Sequence, residues 1–222
     1  MSHPHVKWSY SALSSFEKCP RQYNETRVKR SYEVSSPAID LGNKIHKYFE
    51  DRVKDGTPFP PEWAHYEKII AGFLTLPGTP YAELQVKIDE TGKPAQGGKW
   101  DYWVTAFLDL CIINEEARSA FIIDWKTGNS KYADTQQLKL CALLLFACYP
   151  NIDTVKSALL FVKDGLPVEA YFERSNILEY WEHFMPGYLR LRTARATDVF
   201  NAKPSALCSV CPVKTCEHYR GK

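Results

Sequence analysis

The sequence predicts an α/β fold in which helices flank a central sheet. The first observation is an apolar hairpin pattern, in which the segments 102–113 and 120–126 are joined by a short polar loop. The second is a set of helical segments with apolar residues at helical spacing on both sides of that hairpin in the chain. The third is a pair of strand-like segments around Asp164-Gly165, a dipeptide typical of hairpin turns. A chain of 222 residues is long enough for these elements to form one large domain.

Composition narrows the class of protein. Hydrophobic residues make up 45% of the chain, which is ample for a core, and the formal net charge is only +2. The longest apolar run, 140–149, is too short to cross a bilayer, and the N-terminus does not resemble a signal peptide. We therefore expect a cytoplasmic protein without membrane association, and a phage-encoded origin is consistent with this.

The N-terminal region combines a helix with a basic and aromatic segment. Residues 8–18 open with serines suited to helix capping, and Pro20 then interrupts or redirects the chain. Arg21 and Arg27 flank Tyr23, and such a mixture of cations and an aromatic ring suits binding to a phosphate backbone. A solvated helix face is the alternative explanation of the same pattern.

Three further segments precede the hairpin. Residues 38–50 predict an amphipathic helix that carries His46, although a lone helical histidine is more often a surface or core residue than a ligand. Residues 55–80 are rich in proline, contain a short helical stretch and are interpreted as an insertion. Residues 81–89 alternate as a strand with Glu83 near its start, where the carboxylate either joins a cluster or stays an ordinary exposed acid.

The predicted hairpin brings two aspartates together. If Ile113 pairs with Ala120, the register places Asp109 opposite Asp124. Two like charges roughly 5 Å apart destabilise a sheet unless they are compensated, and a bound divalent cation is the simplest compensation. Lys126 shares a strand face with Asp124, so an acid and a base point into the same space. A surface hairpin with ordinary acids near its mouth is the alternative.

The elements after the hairpin complete the α/β pattern. Residues 132–148 predict an apolar helix that contains Gln137. Residues 154–163 and 168–174 predict two more strands, and residues 176–195 predict a long amphipathic helix.

The cysteines divide into two groups. Cys208, Cys211 and Cys216 lie in the C-terminal tail with gaps of two and four residues, and three clustered thiols need a fourth ligand. Cys19 in its Cys-Pro turn is the best candidate, and His218 is the alternative. Thiolates suit an iron–sulfur cluster or zinc. The other three cysteines lie in apolar periodic segments and are predicted to be in the core.

Taken in order, these motifs resemble the PD-(D/E)XK nuclease superfamily, and most closely its RecB-like and Cas4-like branch. The resemblance spans nearly the whole chain and depends on the order of several short motifs. They are Ser9-x-Ser11, Cys19-Pro20-x-x-Tyr23, Gly42-x3-His46, Glu83, Asp109, Asp124-x-Lys126, Gln137-Leu138 and the cysteine tail.

The resemblance implies a restriction-endonuclease-like core with a mixed sheet, and it assigns roles to residues of this chain. The implied Mg²⁺ or Mn²⁺ ligands are His46, Asp109, Asp124 and the backbone carbonyl of Trp125. The implied catalytic set adds Lys126, which orients water or steadies phosphate charge, Gln137, which positions the lysine or the DNA, and Glu83. DNA contacts are expected from Arg21, Tyr23 and Arg27.

The resemblance also implies that the two ends of the chain are joined. Cys19, Cys208, Cys211 and Cys216 match a four-cysteine [4Fe–4S] pattern, with zinc as the alternative because the last gap is one residue short. We therefore expect a single domain over 1–222 in which 1–35 and 197–222 form a cysteine subdomain.

The implied activity is that of a metal-dependent deoxyribonuclease acting on single-stranded DNA ends in repair, recombination or phage- or CRISPR-type processing. Repair or recombination proteins would be its partners. A non-catalytic nucleic-acid-binding module with a structural metal centre is the first rival, and a cluster-bearing redox or scaffolding protein is the second.

Overall fold

The computed structural model describes residues 5–163 and 165–221, apart from the side chain of Tyr132. The helices and strands follow the order α1 Tyr10–Lys18, α2 Pro20–Tyr23, α3 Pro37–Asp55, α4 Glu67–Leu74, β1 Thr79–Ile88, β2 Val104–Asn114, β3 Ser119–Lys126, α5 Gln136–Cys148, β4 Thr154–Phe161, β5 Leu166–Glu173 and α6 Ile177–Thr197. A π-helix at Asn24–Val28 and short 3₁₀ helices occupy several of the connections.

The five strands form one mixed sheet in the order β1-β2-β3-β4-β5. Neighbouring strands are antiparallel except β3 and β4, which are parallel. A parallel pair needs a long crossover, and α5 supplies it by carrying the chain from the end of β3 back to the start of β4. The predicted α/β class with a central mixed sheet flanked by helices is therefore confirmed.

The predicted register of the central hairpin is also confirmed. Ile113 pairs with Ala120, and the ladder continues to Leu110 and Ile123. The turn between β4 and β5 includes Gly165, whose φ of +62° is in the left-handed region that glycine tolerates. Asp164, the other half of the predicted turn, lies outside the described residues.

One predicted helix has different bounds in the structure, and the proline-rich segment 55–80 contains two short helices. The predicted helix over 132–148 begins at Gln136, because Ser130–Tyr132 forms a separate 3₁₀ turn and Asp134 accepts a hydrogen bond from the Gln136 N–H. Within 55–80, a 3₁₀ helix at Pro61–Tyr66 leads into α4. These residues contribute side chains to the core, and their interpretation as an insertion stays a prediction.

The chain divides into two compact units. The sheet unit is Pro37–Tyr180, and the terminal unit combines Met1–Ser36 with Trp181–Lys222. In the sheet unit, α5 is buried along most of its length, which explains why its sequence is apolar on every side. On the other face, Phe49 of α3 stacks on Trp125 of β3 with ring centroids 4.1 Å apart. No helix in the described ranges is long and apolar enough to span a bilayer.

Candidate functional site

The site begins where β2 and β3 stop pairing. The last pair in the ladder is Leu110 with Ile123, so the next opposed residues are Asp109 and Asp124. Asp109 Oδ2 instead accepts a hydrogen bond from the backbone N–H of Trp125 at 2.8 Å. The strands therefore part at the two aspartates, and the carboxylate of Asp109 takes over a backbone donor that the ladder no longer satisfies.

Three potential metal ligands meet at this opening. They are His46 from α3, Glu83 from β1 and Asp109 from β2, and their ligand atoms all lie within 4.8 Å of one another. Among the described residues, this is the only group of three or more histidine, cysteine or carboxylate side chains with that spacing. His46 Nδ1 lies 3.2 Å from Asp109 Oδ2. All three residues are partly buried.

Glu83 reaches the group through an unusual backbone conformation. Its φ is +51°, in the left-handed region, although it lies inside a strand. The ladder of β1 with β2 pairs Ala82 and then Leu84, and it omits the opposition of Glu83 with Asp109. Left-handed residues other than glycine are uncommon and cost of order 1 kcal/mol or more, and they concentrate at functional sites.

The electrostatics of the group favour a bound cation. Burial raises the pKa of Glu83, and the negative charges of Asp109 and Glu50 raise it further. Burial alone lowers the pKa of His46, but its hydrogen bond to Asp109 and the charges of Asp109 and Asp124 outweigh burial and raise it above its usual value. The histidine also contacts the backbone carbonyl of Trp125. The carboxylates thus repel one another and attract positive charge.

Asp124 is held by a second set of side chains. It is 6% exposed, and its Oδ1 accepts a hydrogen bond from Gln137 Nε2 at the start of α5. Lys126 Nζ donates to Gln137 Oε1 at 3.0 Å and lies 2.5 Å from Asp124 Oδ2. Asp124, Lys126 and Gln137 therefore form a closed triangle of polar groups.

One atom of that triangle is left incompletely satisfied. Asp124 Oδ2 is fully buried, and the ammonium group of Lys126 at 2.5 Å is its one close partner among the described residues. Burial raises the pKa of Asp124 to about 6, and the charge of Asp109 adds to this, while Lys126 and His46 act in the opposite direction. A buried carboxylate oxygen with a single partner keeps a further lone pair that a metal ion can accept.

Comparison with known proteins decides the family. A model of the PD-(D/E)XK nuclease superfamily matches residues 66–216, which is more than half of the chain. The chain belongs to the PD-(D/E)XK nuclease superfamily. Nine chains among the solved structures match, including the crystal structure of SSO0001, with 13% identity over 99% of this chain and 91% of that one. Its TM-score of 0.51 supports a shared fold alone. No curated protein matches the chain.

Membership of this superfamily gives the site a chemical context. Nucleases of the superfamily typically use divalent metals, and DNA is the implied substrate. Carboxylate oxygens and a backbone carbonyl are the ligands that Mg²⁺ and Mn²⁺ prefer, and one imidazole is compatible with Mn²⁺. The donor atoms of His46, Glu83 and Asp109, with the buried oxygen of Asp124 nearby, therefore fit such an ion.

One of the three residues predicted to contact DNA is buried in the structure. Tyr23 is buried, with its ring against Phe16 and Phe200, and it does not offer a surface platform. Arg21 is paired with Glu217, and Arg27 is exposed. Of the three, Arg27 and Arg21 remain on the surface of the terminal unit.

The four predicted cluster cysteines lie around one small pocket of the terminal unit. Backbone N–H groups hydrogen-bond three of the sulfurs: Lys203 to Cys19 at 3.4 Å, Ser205 to Cys208 at 3.3 Å, and Val213 to Cys211. No three of the four sulfurs all lie within 4.8 Å of one another.

Sequence reasoning did not identify Glu50 as a neighbour of the site. It lies one helical turn after His46, and its charge acts on Glu83, while Lys47 and Lys54 neutralise it at 3.1 and 2.6 Å. The spacing of four residues from His46 is the signal that would have placed Glu50 on the same helix face.

Proposed function

We propose that the protein is a Mg²⁺- or Mn²⁺-dependent deoxyribonuclease that hydrolyses phosphodiester bonds at the ends of single-stranded DNA. The observation that carries the proposal is the meeting of His46, Glu83 and Asp109 beside the buried carboxylate of Asp124. The ion pairs Arg52–Glu67 and Arg118–Asp153 each match one acid with one base. The candidate site instead gathers three carboxylates, from Glu83, Asp109 and Asp124, beside one histidine and one lysine.

The proposal assigns ligand roles to residues from four elements. His46, Glu83, Asp109 and Asp124 would hold the cation, and the carbonyl of Trp125 would complete the set. When bound, a divalent cation lowers the pKa of a coordinated water and stabilises charge on the phosphate oxygens. The repulsion between the carboxylates, and the strained backbone of Glu83, are the costs that such binding offsets.

Lys126 and Gln137 would act beside the ligands. Lys126 is the cation next to Asp124. Its ammonium group would orient the attacking water or stabilise the negative charge that develops on the phosphate oxygens. Gln137 accepts from Lys126 and donates to Asp124, so it fixes the distance between base and acid. This arrangement supports a positioning role for Gln137.

We further propose that Cys19, Cys208, Cys211 and Cys216 hold a [4Fe–4S] cluster, which would place the protein in the RecB-like, Cas4-like branch. Backbone N–H donors to the sulfurs support thiolate ligands, since such hydrogen bonds are typical around metal–thiolate sites. Zinc with bonds of about 2.3 Å needs its four sulfurs roughly 3.8 Å apart. A zinc ion held by four sulfurs at that spacing is the alternative to the cluster.

The proposal includes a biological setting. Residues 1–35 and 197–222 would form the cysteine subdomain of a single nuclease domain over 1–222. Thiolate ligands stay reduced in the cytoplasm, which is the compartment we propose. The protein would process DNA in repair, recombination or phage- or CRISPR-type pathways together with partner proteins of those pathways.

A cleavage assay tests the activity. Protein is incubated with single- and double-stranded DNA labelled at the 5′ or the 3′ end, with Mg²⁺, with Mn²⁺ or with a chelator. We expect metal-dependent shortening of the single strand from one end. Asp124→Asn and Asp109→Asn should each abolish it.

The matched control is Asp153→Asn, which makes the same chemical change outside the site. Asp153 pairs with Arg118 just before the start of β3, whereas Asp124 lies near its end. The control should retain wild-type cleavage. DNA binding without cleavage in every metal would instead identify a non-catalytic binding module.

A further inference from the structure

An exposed cluster of two aromatic rings and one cation lies on the loop between β1 and β2 and on β2 itself. Trp100 is 67% exposed and Phe107 is 37% exposed. Lys99 Nζ lies 5.3 Å from the centroid of the Trp100 ring and 5.5 Å from that of Phe107. We call these three residues the ring patch. Large aromatic side chains are highly buried on average, so a ring as exposed as Trp100 is an informative feature.

The loop that carries Lys99 and Trp100 of the ring patch is held to β1 by hydrogen bonds. Lys87 Nζ donates to the carbonyls of Gly97 and Gly98 at 2.6 and 2.7 Å. Gln85 Nε2 donates to the carbonyl of Lys99 at 3.0 Å. Side chains of β1 thus hold the loop backbone that carries Lys99 and Trp100, and this reduces the conformational entropy lost when a ligand binds.

The ring patch lies close to the candidate metal ligands. Gln85 pairs directly with Phe107 across β1 and β2. Gln85 lies two residues after Glu83 on β1, and Phe107 lies two residues before Asp109 on β2, which corresponds to about 7 Å along each strand. Alternation along the strand turns Phe107 to the same side as Asp109. A strand of DNA held at the metal ligands would therefore have its neighbouring nucleotide within reach of the rings.

We propose that the ring patch is a stacking site for the unpaired bases of single-stranded DNA next to the scissile phosphate. This inference rests on the proposed nuclease function, and it adds the reason why a single strand is preferred. Trp100 and Phe107 offer π-faces to bases, and Lys99 between them offers a cation to the connecting phosphate. Aromatic platforms beside a cation are the general means of binding single strands without sequence preference.

The chemistry of the ring patch disfavours a duplex. In a double helix the base faces are stacked on one another, so rings of a protein have no access to them without unstacking. Unpaired bases expose these faces. Discrimination between single and double strands is therefore the property that the ring patch should control.

Equilibrium binding in the presence of a chelator tests the site independently of cleavage. The probe is a labelled oligo-dT strand, compared with a blunt duplex, and the readout is fluorescence anisotropy over a series of salt concentrations. Trp100→Ala and Phe107→Ala should each weaken binding to the single strand about 5- to 100-fold and leave duplex binding nearly unchanged. Lys99→Ala should instead reduce the dependence of log affinity on log salt by roughly 0.7.

Two further variants separate stacking from structure. Trp100→Phe keeps a π-face and should restore most of the affinity, whereas Trp100→Leu keeps apolar area and should not. Tyr171→Ala on β5 is the matched control. Tyr171 is also an exposed ring, at 59%, but β5 is the edge strand at the opposite end of the sheet from β1. It should bind like the wild type.

The outcomes distinguish this inference from the proposed function. Unchanged single-strand affinity in Trp100→Ala and Phe107→Ala, with a wild-type protein that cleaves DNA, would overturn the stacking site alone. Ring-dependent binding in a wild-type protein that cleaves no DNA would support the stacking site and overturn the nuclease. A wild-type protein that neither binds nor cleaves single strands would overturn both.

Discussion

Asp109 Oδ2 accepts the backbone N–H of Trp125 at 2.8 Å, so a side chain of β2 replaces a backbone carbonyl as the partner of β3. This contact opens the hairpin at the point where two aspartates oppose each other. The same hydrogen bond holds the backbone of Trp125 so that its carbonyl lies near His46. A backbone contact of this kind links the geometry of the candidate ligands to the register of the sheet.

The first prediction concerns the stability of the metal-free protein. Asp124→Asn removes one charge of a repulsive group and lowers the cost of burying the side chain, while the Lys126 side chain, which is 32% exposed, keeps contact with water. We expect the metal-free variant to unfold at the same or a higher temperature than the wild type, although it loses cleavage. Thermal unfolding in the presence of a chelator measures this. A large loss of stability would show that Asp124 is required for folding and would make its loss of activity uninformative.

The second prediction is the pH dependence of that stability. The folded-state pKa of Asp124 is raised to about 6 and that of Glu83 is raised as well, so the folded protein binds protons more readily than the unfolded chain. Asp124 therefore favours folding fully below pH 3.8, and its contribution is lost as the pH rises through about 6, while Glu83 acts in the same direction. For Asp124 the difference is of the order of 3 kcal/mol. The raised pKa of His46 acts in the same direction, because its charged form is favoured by folding.

Other carboxylates change the folding stability with pH in the opposite direction. The contribution of Asp124 is therefore measured as the difference in stability between the wild type and a variant that lacks this carboxylate. The stability of the wild type minus that of Asp124→Asn, measured with a chelator by urea unfolding from pH 4 to pH 8, should fall across this range. A difference that is independent of pH would contradict the raised pKa of Asp124.

Some residues of the site could be placed from the sequence, and others could not. The opposition of Asp109 and Asp124 follows from alternation and a short hairpin loop, which are local rules. The left-handed backbone of Glu83 does not, because the surrounding Ala82-Glu83-Leu84 contains no residue that favours it. The burial of Tyr23 among other rings is likewise a tertiary effect that local pattern does not reveal.

The third prediction separates charge from strain at Glu83. Glu83→Gln removes the charge but keeps the left-handed backbone, whereas Glu83→Asn also introduces a residue that tolerates this conformation. Both should weaken Mn²⁺ binding. Without metal, we expect Glu83→Asn to be the more stable of the two by roughly 0.5–1 kcal/mol. Calorimetric titration with Mn²⁺ and unfolding with a chelator provide the two measurements, and equal stability would argue against strain at this position.

The fourth prediction assigns Lys126 to chemistry more than to DNA binding. Lys126→Ala should strongly reduce the single-turnover cleavage rate while changing DNA affinity little, since one cation among many contributes modestly to backbone binding. Lys163→Ala is a control that removes an exposed lysine just after β4. A normal rate with weakened affinity in Lys126→Ala would reassign the residue as a phosphate contact.

The fifth prediction tests the four-cysteine centre through the two ends of the chain. Metal binding of this type is coupled to folding, so Cys19→Ser should lower thermal stability and increase proteolysis of both termini. Cys148→Ser is the matched control, because this sulfur lies on α5, 3.5 Å from the carbonyl of Lys87, and should cause a local change only. Anaerobically purified protein should be brown and contain iron and labile sulfide, whereas a structural zinc site would leave it colourless with about one zinc per chain. Absence of both metals, with all four thiols alkylated in the native protein, would remove the centre and the reason for placing the chain in the cluster-bearing branch.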